Sequence, residues 1–187
     1  MKLHDIPNTV GHSVSSVTRL GVNLITVHAT GGRSMITAAS KAARQTAEEL
    51  GVERPKILAV TVLTSFDDQG WAEIGGHLPI QEHVLRLAEI SRDAGADGVI
   101  ASPREAAAIR RVCGSDFAIV TPGIRPVFSH TDDQRRVATP AQALRDGASQ
   151  LVIGRPITQA ENPAEAVSLI LNEMREEVMM NEEEVKT

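Results

Sequence analysis

Apolar residues fall along the chain in two alternating patterns. Short, nearly continuous apolar runs occur at VNLITVH (22–28), KILAVTVL (56–63), DGVIAS (97–102), DFAIVTPG (116–123) and QLVIGRP (150–156). Runs of this kind predict strands covered on both faces. Between them lie longer stretches with apolar positions at helical spacing. Val84, Leu87, Ala88 and Ile90 mark one within residues 79–95; others run from about Ser34 to Leu50 and through PREAAAIRRVCG, TPAQALRDG and NPAEAVSLILNEMREE. SPREA, TPAQA and NPAEA each place a capping residue before a proline, which suits a first helical turn. Strand alternating with helix predicts a parallel α/β sheet, open or closed into a barrel. One domain over residues 1–175 is expected, with a frayed acidic tail over 176–187.

Composition narrows the classes. A chain of 187 residues with 42% hydrophobic and 23% charged content suits a single globular domain. A net charge of −5 argues against a nucleic-acid partner, because phosphate backbones demand a basic face. The longest apolar runs are far short of a bilayer span. Lys2, His4 and Asp5 interrupt any leader-like run at the start. The single cysteine, Cys113, permits no intrachain disulfide and fits a reducing cytoplasm. With one Trp, three Phe and no Tyr, base-stacking platforms are not expected. His4, His12, His28, His77, His83 and His130 show no metal-ligand spacing, so no metal is assigned.

Candidate chemistry lies just past strand ends. TPGIRP (121–126) and IGRPIT (153–158) each pair a glycine, which permits close backbone approach, with an arginine. Each alone reads equally as a surface arginine beside a turn. Repeated after successive strands, the pair matches the phosphate site that (β/α)₈ barrels keep after strands 7 and 8. The polar stretch between them is long enough for a lid. Counting back from strand 8 makes VNLITVH strand 4 and MKLHD the carboxyl end of strand 3. Lys2 and Asp5 then fall at the rim where barrels hold their chemistry.

KLHDIPNT, VHATGG, VLTS, TPGIRP, DDQRRVATP and VIGRPIT occur in order from residue 2 to residue 158. In these motifs the chain resembles the orotidine 5′-phosphate decarboxylases. The resemblance implies a (β/α)₈ barrel that converts orotidine 5′-monophosphate to UMP in pyrimidine biosynthesis, without metal or organic cofactor, as a homodimer with shared sites. In the family pattern D-x-K-x-x-D, Lys2 matches the lysine and Asp5 the second aspartate, which serves the partner's site. Ile6 and Thr9 match residues that also reach across the dimer. Thr64 and Ser65 match a pyrimidine-contacting pair, although a helix N-cap explains them equally well from sequence. Gln134 and Arg125 match phosphate-loop residues, and Gly154 and Arg155 the second phosphate loop. Gln134 by itself reads as a solvated loop residue. His28, at a strand end, reads as a hydrogen-bonded structural histidine.

The family's first aspartate would fall before Met1, and an aspartate after strand 1 and a lysine after strand 2 have no counterpart here. The expected fold is therefore a barrel truncated to the end of strand 3 through strand 8. Open edges are expected next to Val22–His28 and Gln150–Gly154, or at whatever strands border the gap, and activity lost or severely reduced if the chain acts as it stands. The rival readings are a metal-using sugar-phosphate decarboxylase or aldolase of the same superfamily, a non-catalytic barrel remnant and, more weakly, a phosphosugar isomerase.

Overall fold

The computed structural model describes residues 1–126 and 137–184, with side chains through Glu177. Six strands form one sheet: β1 (Lys2–Leu3), β2 (Leu24–His28), β3 (Lys56–Val60), β4 (Gly98–Ile100), β5 (Ala118–Thr121) and β6 (Gln150–Leu151). Every pairing is parallel, and spatial order equals chain order. Helices fill the crossovers: α1 (Pro7–Thr18), α2 (Gly32–Leu50), α3 (Asp68–Glu73), α4 (Ile80–Asp93), α5 (Pro103–Cys113) and α6 (Pro140–Arg145). After β6 come α7 (Arg155–Thr158) and α8 (Pro163–Glu184). Strands that always step in the same direction through right-handed crossovers place all their helices on one face. A doubly wound sheet would reverse direction partway.

Side-chain parity shows the two faces. Ile25 and Val27, Ile57 and Ala59, Val99 and Ile119 point outward into the core, against Val10 and Val14 of α1, Met35 and Ile36 of α2, Val84 of α4 and Ile109 of α5. Alternate residues point the other way. Leu58, Val60 and Val120 are buried there yet stand outside that helix-packed core. The sheet curls enough for these inner side chains to cover one another. Asn23, Leu24, Lys56 and Gln150 line a single cavity of about 270 Å³ at its amino end, so β6 faces β2 and β3 across the interior.

Proline-marked helix starts form as expected. The Ser102 hydroxyl accepts from the Arg104 N–H, and the Thr139 hydroxyl from the Gln142 N–H. Asn162 Oδ1 accepts from the Glu165 N–H at 3.3 Å. The edge next to Val22–His28 is β1, which pairs along β2. Other expectations need correction. The run 56–63 leaves the sheet after Val60, and 150–156 is strand only at Gln150–Leu151, since Arg155 and Pro156 already open α7. The short α3 was not expected; Asp67 caps it by accepting from the Gly70 N–H at 2.9 Å. The acidic segment does not fray at 176: α8 continues to Glu184, and Glu177, 4% exposed, forms an ion pair with Arg145 of α6. No helix among the described residues is long and apolar enough to cross a membrane.

Candidate active site at the carboxyl ends of the strands

Lys2 pairs in register with Thr26, and Leu3 with Val27. Leu3 packs against the outer core, so the period-two alternation of a strand turns Lys2 to the inner face. Thr26 fastens the segment by donating its hydroxyl to the Met1 carbonyl at 2.6 Å. Lys2 shares its row with Thr26, Leu58, Gly98 and Ala118; His28, Val60, Ile100, Val120 and Gln150 form the next row but one. Two residues of strand rise about 7 Å, so Lys2 lies that much deeper than the rim position expected from counting strands.

Two rows above, His4 stacks on His28 with ring centroids 5.2 Å apart and 29° between planes. The half-buried His28 has its pKa lowered, first by desolvation and then by the charges of His4 and Lys2. Asp5 stands in a bend past the end of β1. Its Oδ1 accepts from the Ile6 N–H at 2.7 Å, and no ion pair joins it to Lys2 among the described residues. Asp5, Ile6 and Thr9 are all exposed, Ile6 by 65%.

The remaining candidates lie past the same ends of their strands. Thr64 is buried and Ser65 exposed in a turn closed by the Phe66 N–H donating to the Leu63 carbonyl at 3.1 Å. Neither caps a helix, since Asp67 caps α3, so the capping explanation for this pair falls away. After β5, Gly123 adopts φ 79°, a conformation glycine takes without steric cost. Ile124 bridges Ala138, and the Arg125 N–H donates to the Ala138 carbonyl at 2.9 Å, drawing the two limbs of this loop together. Arg125 is 8% exposed, with Nη1 donating to the Ile124 carbonyl at 2.9 Å. Gln134 lies outside the described residues. After β6, Gly154 is the N-cap of α7 and its carbonyl accepts from the Ile157 and Thr158 N–H groups; the half-buried Arg155 begins the helix.

Parallel strands thus bring Lys2, Thr64, Ser65, Arg125, Gly154 and Arg155 toward one end of the sheet, while Asp5, Ile6 and Thr9 line its outer margin. Sequence reading did not pair His4 with His28, because only the β1–β2 register sets them opposite. A cavity of about 420 Å³ lies to the side, lined by Phe66, Asp67, Pro79, Arg104 and Glu105 among others, and does not include Lys2. Among the described residues, no group of three or more His, Cys, Asp or Glu side chains is placed to hold a metal ion.

Residues 1–170 match the family model described as "Orotidine 5'-phosphate decarboxylase / HUMPS family". The chain is 53% identical over 175 residues to the orotidine 5′-phosphate decarboxylase of Moorella thermoacetica, covering 93% of this chain and 69% of that one. It is 50% identical over 174 residues to the enzyme of that name from Paramagnetospirillum magneticum, covering 93% and 74%. The crystal structure of the orotidine 5′-phosphate decarboxylase from Lactobacillus acidophilus superposes with a TM-score of 0.80 at 42% identity, covering 93% of this chain and 73% of that one.

Proposed function

This chain belongs to the orotidine 5′-phosphate decarboxylase / HUMPS family, and from that membership we propose that it decarboxylates orotidine 5′-monophosphate to UMP in pyrimidine biosynthesis. The observation that carries the reading is the placement of Lys2 on the inner face of a curled parallel sheet whose last two loops bear Arg125 and Arg155.

Loss of CO₂ from C6 of the pyrimidine leaves an electron pair in an in-plane orbital that the ring delocalises poorly. In this reading the protein stabilises that pair electrostatically and then protonates it. The Lys2 ammonium faces the developing carbanion and supplies the proton to C6, ending neutral until solvent restores it. Thr64 and Ser65 contact the pyrimidine, while Arg125, Gln134, Gly154 and Arg155 hold the phosphate. Binding energy from the phosphate, remote from C6, positions the reacting ring. No step in this scheme calls for a metal or an organic cofactor.

The exposed Asp5, Ile6 and Thr9 are proposed as the surface given to a second copy of the chain, with Asp5 completing the neighbouring site. The six strands are read as strands 3 to 8 of a (β/α)₈ barrel. Two further parallel strands between the β6 and β1 edges would close it, and turnover depends on them. Cys113 as the single cysteine suits a cytoplasmic setting.

The direct test is loss of ultraviolet absorbance when orotidine 5′-monophosphate is mixed with the protein, for this chain and for a form that carries the two closing strands. Turnover in neither would refute the assignment. Turnover that requires an added divalent metal would favour the sugar-phosphate branch of the superfamily.

A further inference from the structure

Three proton-binding side chains meet on the inner side of β1 and β2, and the decarboxylase reading uses only one of them. Lys2 and His4 are two residues apart with the same parity. The register Lys2↔Thr26 and Leu3↔Val27, carried one residue further, sets His4 opposite His28, where the rings stack. In register beside His28 stands Val60 of β3, uncharged; the charges that act on His28 are those of His4 and Lys2, both from the β1 segment. Neutral imidazoles stack readily. Two imidazoliums beside an ammonium repel one another, here with Lys2 and His4 exposed and His28 half-buried.

The lysine segment is tied to β2 at its start, and its far end carries only a local bond between adjacent residues. Thr26 holds Met1, and the Asp5 carboxylate accepts from the Ile6 N–H. His4 lies between Lys2 and Asp5, and its contact with His28 ties the middle to β2. We infer that the His4–His28 stack is a positioning ledge for Lys2, and that His28 must remain uncharged for the ledge to hold. The effect on turnover rests on the decarboxylase reading; the ledge itself does not. The lowered pKa of His28 fits this role, since it keeps the ring neutral further into the acid range. Displacing a reacting group by about 1 Å costs up to roughly 100-fold in rate, so a loosened ledge is expected to appear in kcat rather than KM.

The test has two readouts. Imidazole resonances of His4 and His28 are followed by NMR through a pH titration of the chain, its Lys2→Met variant and its His4→Ala variant. The His28 midpoint should rise in each variant; a midpoint unmoved in both overturns the proposal. Turnover of orotidine 5′-monophosphate is measured in parallel on the form that carries the two closing strands. His28→Ala should lower kcat roughly 10- to 100-fold with little change in KM. His28→Phe, which keeps a stacking ring without a titrating nitrogen, should recover most of kcat and carry the acid limb of its profile to lower pH. A His28→Ala enzyme with normal kcat, or a His28→Phe enzyme with an unmoved acid limb, overturns the proposal. Shifted midpoints, with the substrate untouched at every pH even by the form that carries the two closing strands, would support the ledge and sink the decarboxylase reading alone.

Discussion

Lys2 and Thr26 stand side by side across the β1–β2 pair, with the Thr26 hydroxyl closed onto the carbonyl that precedes Lys2. That bond fixes the plane of the first peptide, and the parity of β1 then sends the lysine stem inward while Leu3 enters the core. A residue next to a chain end is ordinarily free to fray. Here it is held by a strand pairing, a side-chain hydrogen bond and the packing of its neighbour.

Replacing Lys2 by Ala should abolish turnover, by on the order of 1,000-fold or more in kcat, because a charge poised at the reacting carbon is lost in the transition state. Binding of UMP, measured by calorimetry, should change far less, since the phosphate loops are untouched. Comparable turnover in the variant would remove Lys2 as the proton donor.

Arg155 begins α7 directly after the Gly154 cap, half-buried at the mouth of the sheet. Arg155→Ala should raise KM for orotidine 5′-monophosphate roughly 10- to 100-fold, the value of a charge-assisted hydrogen bond to an anion. It should not alter the slow reaction of orotidine itself, which carries no phosphate. Equal losses for both substrates would mean that the arginine supports the fold rather than the phosphate.

Much of this architecture was legible because local chemistry and final structure agree. Capping residues before Pro103, Pro140 and Pro163 open helices in the sequence and in the fold, and the apolar runs do form a parallel sheet. What escaped detection depends on partners distant in the chain. The two-residue β1 is a strand only because β2, more than 20 residues later, pairs with it. Its depth relative to the rim follows from register, which apolar runs without polar alternation leave unspecified. The six-residue α3 is too short to display a helical period, and Trp71 anchors it through the 2.9 Å bond from Nε1 to the Leu78 carbonyl. Glu177 looks like part of a solvated acidic run until α6 brings Arg145 beside it, 32 residues away in sequence.

Arg110 holds the amino ends of two strands. Nη1 donates to the carbonyls of Gly114, Ser115 and Phe117, and Nη2 to the Gly147 carbonyl and the Ser149 hydroxyl. The same hydroxyl accepts from the Ile119 N–H. Arg110→Ala should therefore destabilise by about 2–3 kcal/mol, read as a lower denaturation midpoint. Arg110→Lys should recover little, because an ammonium has no planar fork to span both loops. Full recovery with Lys would show that charge rather than geometry matters at this position.

Two histidines make stability depend on pH. Burial lowers the pKa of His28 and of His83, aided by His4 and Lys2 in one case and by Arg86 in the other; His83 packs on Trp71 at 4.8 Å between centroids. Below the ordinary histidine value of 6.5 the unfolded chain takes up these protons while the folded chain resists. Stability should thus be intact above about pH 6.5 and fall as pH drops toward the folded values. Thermal melts from pH 7.5 to 5 should show this loss, and His83→Gln should make it shallower. A variant slope equal to wild type would dismiss His83 as a contributor.

The closing helix offers a test against the reading of residues 176–187 as a tail. Glu173 accepts from the Ala141 N–H at the start of α6, and Glu177 reaches Arg145 at its end, so α8 grips α6 at both termini. Glu177 is buried, whereas the Arg145 side chain is about half exposed and can be rehydrated if its partner goes. Ending the chain after Arg175 would spare the Glu173 contact and remove the Glu177 one. It should therefore cost about 1–2 kcal/mol, the lower part of the range for a charged hydrogen bond lost from a partly buried site. Glu177→Gln should cost less, since the amide oxygen still accepts from the guanidinium. A truncated chain that melts with the full one would return residues 176–184 to the status of a solvated extension.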